Sequence, residues 1–190
     1  MSLTLPTLHT ARLTVRPLNL ADVPAFTAYH NDPEVALYQS WDMPYPLARA
    51  EALAREIQVL TSEWATLTLE GEGGVVLGNL SVRRTSHRTA EVGFTLARAE
   101  WGRGYAHEGL TALLGWLFED KSAGGADLHR VHASLDPRNA RSAALLTRAN
   151  FRFEGCSLAA YWHRQSWTDD AHYAMLQSEW HTQQEHPDHD

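Results

Sequence analysis

The chain has 190 residues, of which 44% are hydrophobic and 21% charged, ordinary proportions for a globular domain that can bury a core without disulfide or metal staples. A net charge of −7, from 16 Lys and Arg against 23 Asp and Glu, argues against general binding of nucleic-acid phosphate and suits a cationic partner better. The single cysteine, Cys156, excludes an internal disulfide or thiolate metal cluster, and no apolar run approaches the roughly 18 residues of a membrane span.

The N-terminus shows no charged segment followed by an apolar one, so no secretory leader is read there and a cytoplasmic location is the default expectation. Residues 12–18 read as a first strand, with Leu13 and Val15 alternating against polar neighbours and Pro17 closing it. Asn19 or Asp22 caps a helix running to about His30, and Asn31-Asp32-Pro33 breaks the chain. Residues 39–46, with Trp41, Pro44 and Pro46, read as a loop. Residues 47–61 read as a helix, because Ala50, Leu53, Ala54, Ile57 and Leu60 share one face.

Residues 65–70 and 75–84 flank Gly71-Glu72-Gly73-Gly74 and form a hairpin signal; residues 89–96 are the next strand. Residues 105–118 are a helix whose buried stripe is Ala106, Leu110, Leu113, Leu114 and Leu117. Residues 131–135 form a short buried strand, 139–149 a helix, and 151–156 and 172–176 the closing strands. A run of strands followed by strands alternating with helices predicts an α+β domain with a mixed sheet over residues 1–180. Residues 181–190, with three His, two Gln and a Pro, read as a polar tail.

The segment Trp101-Gly102-Arg103-Gly104-Tyr105-Ala106 joins a strand directly to a helix. Glycines let the backbone pass close to a ligand and adopt positive φ. The first N–H groups of a helix lack internal partners and carry the positive end of the macrodipole, so such a turn can hold an anion. Arg103 adds charge at the rim. The pattern is neither a dinucleotide fingerprint, which needs a third glycine in register, nor a P-loop, which needs Gly-Lys-Ser/Thr. A plain structural turn is the other reading of these residues.

Taken with its flanks, the chain resembles the GCN5-related N-acetyltransferase (GNAT) superfamily, in particular the branch that acetylates the N-termini of ribosomal proteins. The matching stretches are residues 11–18, 91–94, 100–106, 108–110, 129–131, 136–142 and 150–155. The resemblance implies a splayed mixed sheet of about seven strands with helices on both faces, and acetyl-CoA as co-substrate, with no metal. Coenzyme A would lie where the strands at 91–96 and 131–135 part. Backbone groups of Phe94, Thr95 and Leu96 would meet the pantetheine arm, and N–H groups from Trp101 and Gly102 to Ala106 the pyrophosphate. Asn139 would sit near the cofactor arm, as would Ser142. Two departures stand out: Trp101 replaces the common Gln or Arg, and Ala149-Asn150-Phe151 replaces Leu-Gly-Phe. Asn tolerates the left-handed conformation that Gly would supply.

The implied reaction is attack of a neutral amine on a thioester. Near pH 7.5 an N-terminal amine of pKa about 8 needs under about 1 kcal/mol to be held neutral, and a lysine amine of about 10.4 needs roughly 4. Glu91 is the candidate general base, with a solvent-facing strand carboxylate as its bland reading. Ser142 is the candidate acid or thiol-side partner, against a helix-surface serine. Gly93 could mark a bulge that supplies an oxyanion donor. Tyr38, Trp41 and Tyr45, and Trp162 in the stretch before the last strand, are candidate walls of the acceptor site, with core packing the alternative for the first three. The acceptor is expected to be a protein or peptide N-terminal amine, the runner-up a small amine, and a CoA-sensing domain without turnover the third reading. A homodimer is a family-level expectation only.

Overall fold

The computed structural model describes residues 3–56 and 58–185. In chain order these form β1 (Leu3–Thr4), β2 (Leu8–His9), β3 (Thr14–Pro17), α1 (Val23–His30), α2 (Pro33–Ala36), α3 (Leu47–Arg55), β4 (Val59–Leu60), β5 (Ala65–Glu70), β6 (Val76–Ser86), β7 (Thr89–Leu96), α4 (Tyr105–Phe118), β8 (Arg130–Leu135), α5 (Ala140–Arg148), β9 (Arg152–His163), β10 (Ser166–Leu176) and α6 (Gln177–Glu185). The main sheet has eight strands in the order β2-β3-β5-β6-β7-β8-β10-β9, with β1 and β4 paired separately. Pairing is antiparallel for β2–β3, β3–β5, β5–β6, β8–β10 and β9–β10. It is parallel for β7–β8, through Thr89↔Arg130, Ala90↔Val131 and Glu91↔His132. The fold is thus α+β with a mixed sheet, as expected, with eight strands among the described residues where the resemblance implied about seven.

The chain divides into two compact units. The first comprises residues 1–83 and 93–113, the second 84–92 and 114–190. In the first, Asn19 caps the turn before α1 by accepting from the Ala21 N–H, while Asp22 closes the capping box by accepting from the Asn19 N–H at 3.0 Å. Asp22 is buried, yet Arg16 bonds both its oxygens at 2.8 Å and Thr68 donates to it at 2.8 Å. Burial opposes ionisation there, but these bonds outweigh it and hold the carboxyl below its ordinary range. Phe26, Tyr29, Val35, Tyr45, Ala50 and Ala54 form a core cluster beside α1.

The helix expected over residues 47–61 ends at Arg55 instead. The apolar spacing continues, but Glu56 is extended at ψ 145°. Gln58 then takes over the local hydrogen bonding: its amide donates to the carbonyls of Leu53 and Glu56, and its oxygen accepts from the Thr66 N–H at 2.7 Å. Leu60 is buried as a strand residue opposite Leu3. Ile57, assigned to the helical face, lies outside the described residues.

In the second unit, the end of α4 buries Leu114, Leu117 and Phe118 completely. α5 ends in a Schellman motif: Asn150 sits at φ 60°, its N–H donates to Thr147, and the Phe151 N–H donates to Leu146. The closing strands are much longer than the pattern indicated. β9 and β10 form an arm whose turn at Arg164-Gln165 has positive φ at both positions. α6 carries the first half of the polar tail as far as Glu185; residues 186–190 lie outside the described residues.

Candidate active site

The turn between β7 and α4 is built as its glycines require. Gly102 has φ 74° and Gly104 φ 82°, both in the left-handed region. The first turn of α4 opens with the Glu108 N–H donating to the Gly104 carbonyl at 3.0 Å. Among the described residues, the N–H groups of Gly102, Arg103, Gly104, Tyr105 and Ala106 donate to no protein acceptor. Five consecutive donors at the positive end of a 14-residue helix are chemically suited to hold an anion.

Three contacts fix this turn. The Trp101 indole N–H donates to the Leu96 carbonyl at 3.1 Å, tying the turn to the end of β7, and the ring packs against the core cluster beside α1. Arg12 donates from Nη1 to the Arg103 carbonyl at 2.9 Å and lies with its guanidinium carbon 4.6 Å from the Tyr105 ring centre. Glu108, one turn into α4, accepts from the Arg12 backbone N–H at 2.9 Å, from Arg12 Nε at 2.7 Å and from the Thr10 hydroxyl at 2.6 Å. Burial disfavours the Glu108 carboxylate, but the bonds from Thr10 and Arg12 win and hold it below its ordinary value. The sequence reading missed Arg12 and Glu108 as a pair, because no local spacing links residues 96 positions apart. Arg103 is exposed on the turn, and Glu100 Oε2 receives its Nη1 at 2.8 Å and offsets part of its charge.

β7 itself changes phase before the turn. Ala90 and Val92 are buried; the alternation then slips, so that Phe94 is half-buried and Thr95 is buried. The change of phase falls at Gly93-Phe94. The neighbouring strand accommodates β7 by leaving out a side chain. A Cβ at Gly78 would lie 2.3 Å from the Thr95 carbonyl oxygen and 2.8 Å from the Leu96 Cα. The backbone of Thr95 and Leu96, expected to meet the cofactor arm, is therefore held at a close approach that only glycine permits.

In the second unit, Glu91 is half-buried on β7 opposite His132, and His132 Nε2 lies 3.0 Å from the Thr85 hydroxyl. β8 leads through Asp136-Pro137-Arg138 into α5, where Asn139 is the N-cap and accepts from the Ser142 N–H at 3.2 Å. The Asp136 carboxylate binds Arg138, which holds its carboxyl below the usual range. Asn139 and Ser142 are thus brought together by the cap itself.

The four aromatic acceptor candidates separate. Tyr45 is only 7% exposed and sits in the core cluster, where its ring meets Phe26 and His30. Trp41 packs against the same cluster and donates from its indole to the His30 carbonyl at 3.0 Å. Tyr38 is exposed. Trp162 is 56% exposed on β9 and packs edge-to-face on Trp167 across the hairpin, with ring centres 5.3 Å apart. The described residues contain no cluster of three or more His, Cys, Asp or Glu side chains able to hold a metal ion, and no helix long and apolar enough to cross a membrane.

Residues 12–152 match the family described as acetyltransferase (GNAT) domain. An uncharacterized N-acetyltransferase, p20 of Bacillus licheniformis, is 28% identical over 154 residues, covering 78% of this chain and 84% of its own. Among solved structures, spermidine N-acetyltransferase from Vibrio cholerae in complex with CoA and spermine superposes with a TM-score of 0.75 at 19% identity, covering 90% of this chain and 99% of its own. RimL, a ribosomal L7/L12 α-N-protein acetyltransferase in complex with coenzyme A, superposes with a TM-score of 0.73 at 19% identity, covering 91% and 97%. With its family match spanning most of its length and carrying the glycine turn and the strand before it, the chain belongs to the GNAT acetyltransferases.

Proposed function

We propose that this N-acetyltransferase binds acetyl-CoA with its pyrophosphate on the turn at residues 101–106 and transfers the acetyl group to an N-terminal α-amine of a protein or peptide. The observation that carries the cofactor half is the row of five unpartnered N–H groups behind two positive-φ glycines. The structural relatives crystallised with CoA support the same ligand. Backbone groups of Phe94, Thr95 and Leu96 serve the pantetheine arm. Asn139 and Ser142 serve its thiol end, with Ser142 donating toward the leaving sulfur.

Glu91 acts as the base, through water. An α-amine of pKa about 8 is already partly neutral near pH 7.5, so only modest base help is needed as the C–N bond forms. The oxyanion needs a donor in place before reaction, and the slip at Gly93-Phe94 frees the backbone geometry for one. The tetrahedral intermediate then expels the CoA thiolate, whose pKa of about 8.5 requires little acid help. The exposed Trp162 and Tyr38 present aromatic faces suited to a cationic amine before it is deprotonated.

A small-amine acceptor is the second reading; the overall negative charge, −7, favours a polycation as much as a peptide terminus. Release of free thiol from acetyl-CoA, measured against N-terminal peptides, polyamines and aminoglycosides, decides between them. Stimulation by peptides alone supports the first reading, and stimulation by polyamines or aminoglycosides alone replaces it with the second. Binding of acetyl-CoA without turnover on any of them would favour a CoA-sensing domain. Glu91→Gln should lower kcat by about 10- to 100-fold while leaving acetyl-CoA affinity nearly intact; an unchanged kcat removes Glu91 as base.

A further inference from the structure

We infer that Arg12 and Glu108 form a clamp that sets the direction of the anion-binding N–H groups, making both of them positioning residues for cofactor affinity. The inference rests on the reading of the turn as the pyrophosphate site. Its physical basis lies in the peptide between Arg103 and Gly104. That peptide is bounded by Arg103 on one side and on the other by Gly104, at positive φ, and at its glycine end rotation of the peptide plane meets little steric resistance. A trans peptide is planar, with its C=O and N–H pointing in opposite directions. Arg12 Nη1 holds the Arg103 carbonyl at 2.9 Å. Pinning that oxygen fixes the Gly104 N–H on the opposite side, among the donors of the turn.

Arg12 is itself held. Its Nε and Nη2 each meet Glu108 Oε2 at 2.7 Å, its backbone N–H meets Oε1 at 2.9 Å, and Thr10 adds a fourth donor to that carboxylate at 2.6 Å. The guanidinium lies against the Tyr105 ring, and its Nη2 is 3.3 Å from where a Cβ on Gly104 would stand. Glu108 is the more enclosed partner, with 18% of its side chain exposed against 48% for Arg12. Arginine suits this place because one planar fork bonds the carboxylate with two nitrogens and the carbonyl with the third; a lysine ammonium on its single stem cannot reproduce that geometry.

The sign of one effect separates this role from simple electrostatics. Glu108 places a negative charge one turn from the proposed pyrophosphate, so relief of Coulomb repulsion alone predicts that Glu108→Gln strengthens CoA binding. The clamp predicts that it weakens binding. The experiment is calorimetric titration of CoA into the wild type, Arg12→Met, Glu108→Gln and the double variant at one ionic strength, with S-acetylpantetheine measured by displacement. Each single variant is expected to raise the Kd for CoA about 10-fold, and the double variant by a similar 10-fold rather than 100-fold, because the two residues act as one unit. The affinity ratio of CoA to S-acetylpantetheine should fall by the same factor, which general loss of folded protein would not produce. Arg12→Lys should recover only part of the loss.

Glu108→Gln binding CoA as tightly as the wild type or tighter would overturn the clamp. Additive losses would overturn it too and make Arg12 a direct phosphate ligand. A wild type with no preference for CoA over S-acetylpantetheine would instead sink the underlying reading of the turn, and the clamp with it. A preference retained in every variant would sink the clamp alone.

Discussion

The turn at residues 101–106 and the arm formed by β9 and β10 both depend on positive-φ backbone, and they achieve it in opposite ways. The turn uses glycine at 102 and 104, where the conformation costs little. It is then backed by Trp101 in the core and by the Arg12–Glu108 pair. The arm uses Arg164 and Gln165 at its tip and Ala159 within β9, all at positive φ, at roughly 1 kcal/mol each. It bulges there: Thr168 pairs with Tyr161, but Asp170 pairs with Ser157, and Asp169 accepts from the Ala159 N–H at 2.8 Å. Leu158, beside the bulge, is 79% exposed. The turn is a geometry the local sequence prefers and the surroundings reinforce. The arm is a geometry the local sequence resists, held by strand pairing and a Trp162–Trp167 contact.

That contrast yields tests in descending size of effect. Gly104→Val combines a β-branched side chain with φ 82° and a Cβ 3.3 Å from Arg12 Nη2. It should weaken CoA binding by at least about 100-fold, since both the turn and its anchor must move. Retained affinity in a titration of folded protein would make the turn as tolerant as the arm and erase the distinction.

The aromatic core behind the turn gives a pH-dependent effect. His30 donates from Nδ1 to the Phe26 carbonyl at 2.8 Å and is enclosed by Phe26, Tyr29, Trp41 and Tyr45. Burial pushes its imidazole down to about 4 from 6.5 against the pull of that bond, and Arg49 pushes the same way. A lowered folded pKa means the unfolded chain takes up the proton first. Stability is therefore complete above pH 6.5 and falls as pH drops through the window toward 4. Between pH 6.5 and 5, before carboxylates titrate, unfolding free energy from urea melts should fall with a slope approaching about 1.4 kcal/mol per pH unit. In His30→Leu that slope should flatten, whatever the variant's absolute stability; an unchanged slope would show that His30 is not buried neutral.

The smallest effect is predicted for the arm. Trp167→Ala removes an exposed ring and its partner contact, and should cost under about 1 kcal/mol. A larger loss in thermal melts would mean that the arm supports the fold as the core behind the turn does.

The same contrast explains what was legible from the residues alone. α4 appears over residues 105–118 as read, with its Leu stripe buried, because amphipathic period and a glycine start agree. The Asn150 helix end was equally readable, since Asn is among the few residues that accept φ 60°. The false extension of α3 through Leu60 came from apolar spacing that a β-bridge to Leu3 uses equally well. The length of β9 could not be read, because its exposed and irregular residues carry no alternation. For Tyr45 and Trp41 the sequence left acceptor wall and core packing both open, and the structure packs both around His30; burial of aromatics in a loop depends on contacts that sequence spacing does not encode. The turn was legible as glycines, but its clamp joins residues 12 and 108 and exists only in three dimensions.

The central claim is that the N–H groups of Gly102 through Ala106 hold the pyrophosphate of coenzyme A. Amide proton–nitrogen NMR spectra of the assigned protein, titrated separately with CoA and with pantetheine, test it directly. The account predicts that the five amides shift on addition of CoA and stay in place with pantetheine. CoA that shifts amides elsewhere while leaving these five unmoved would contradict it.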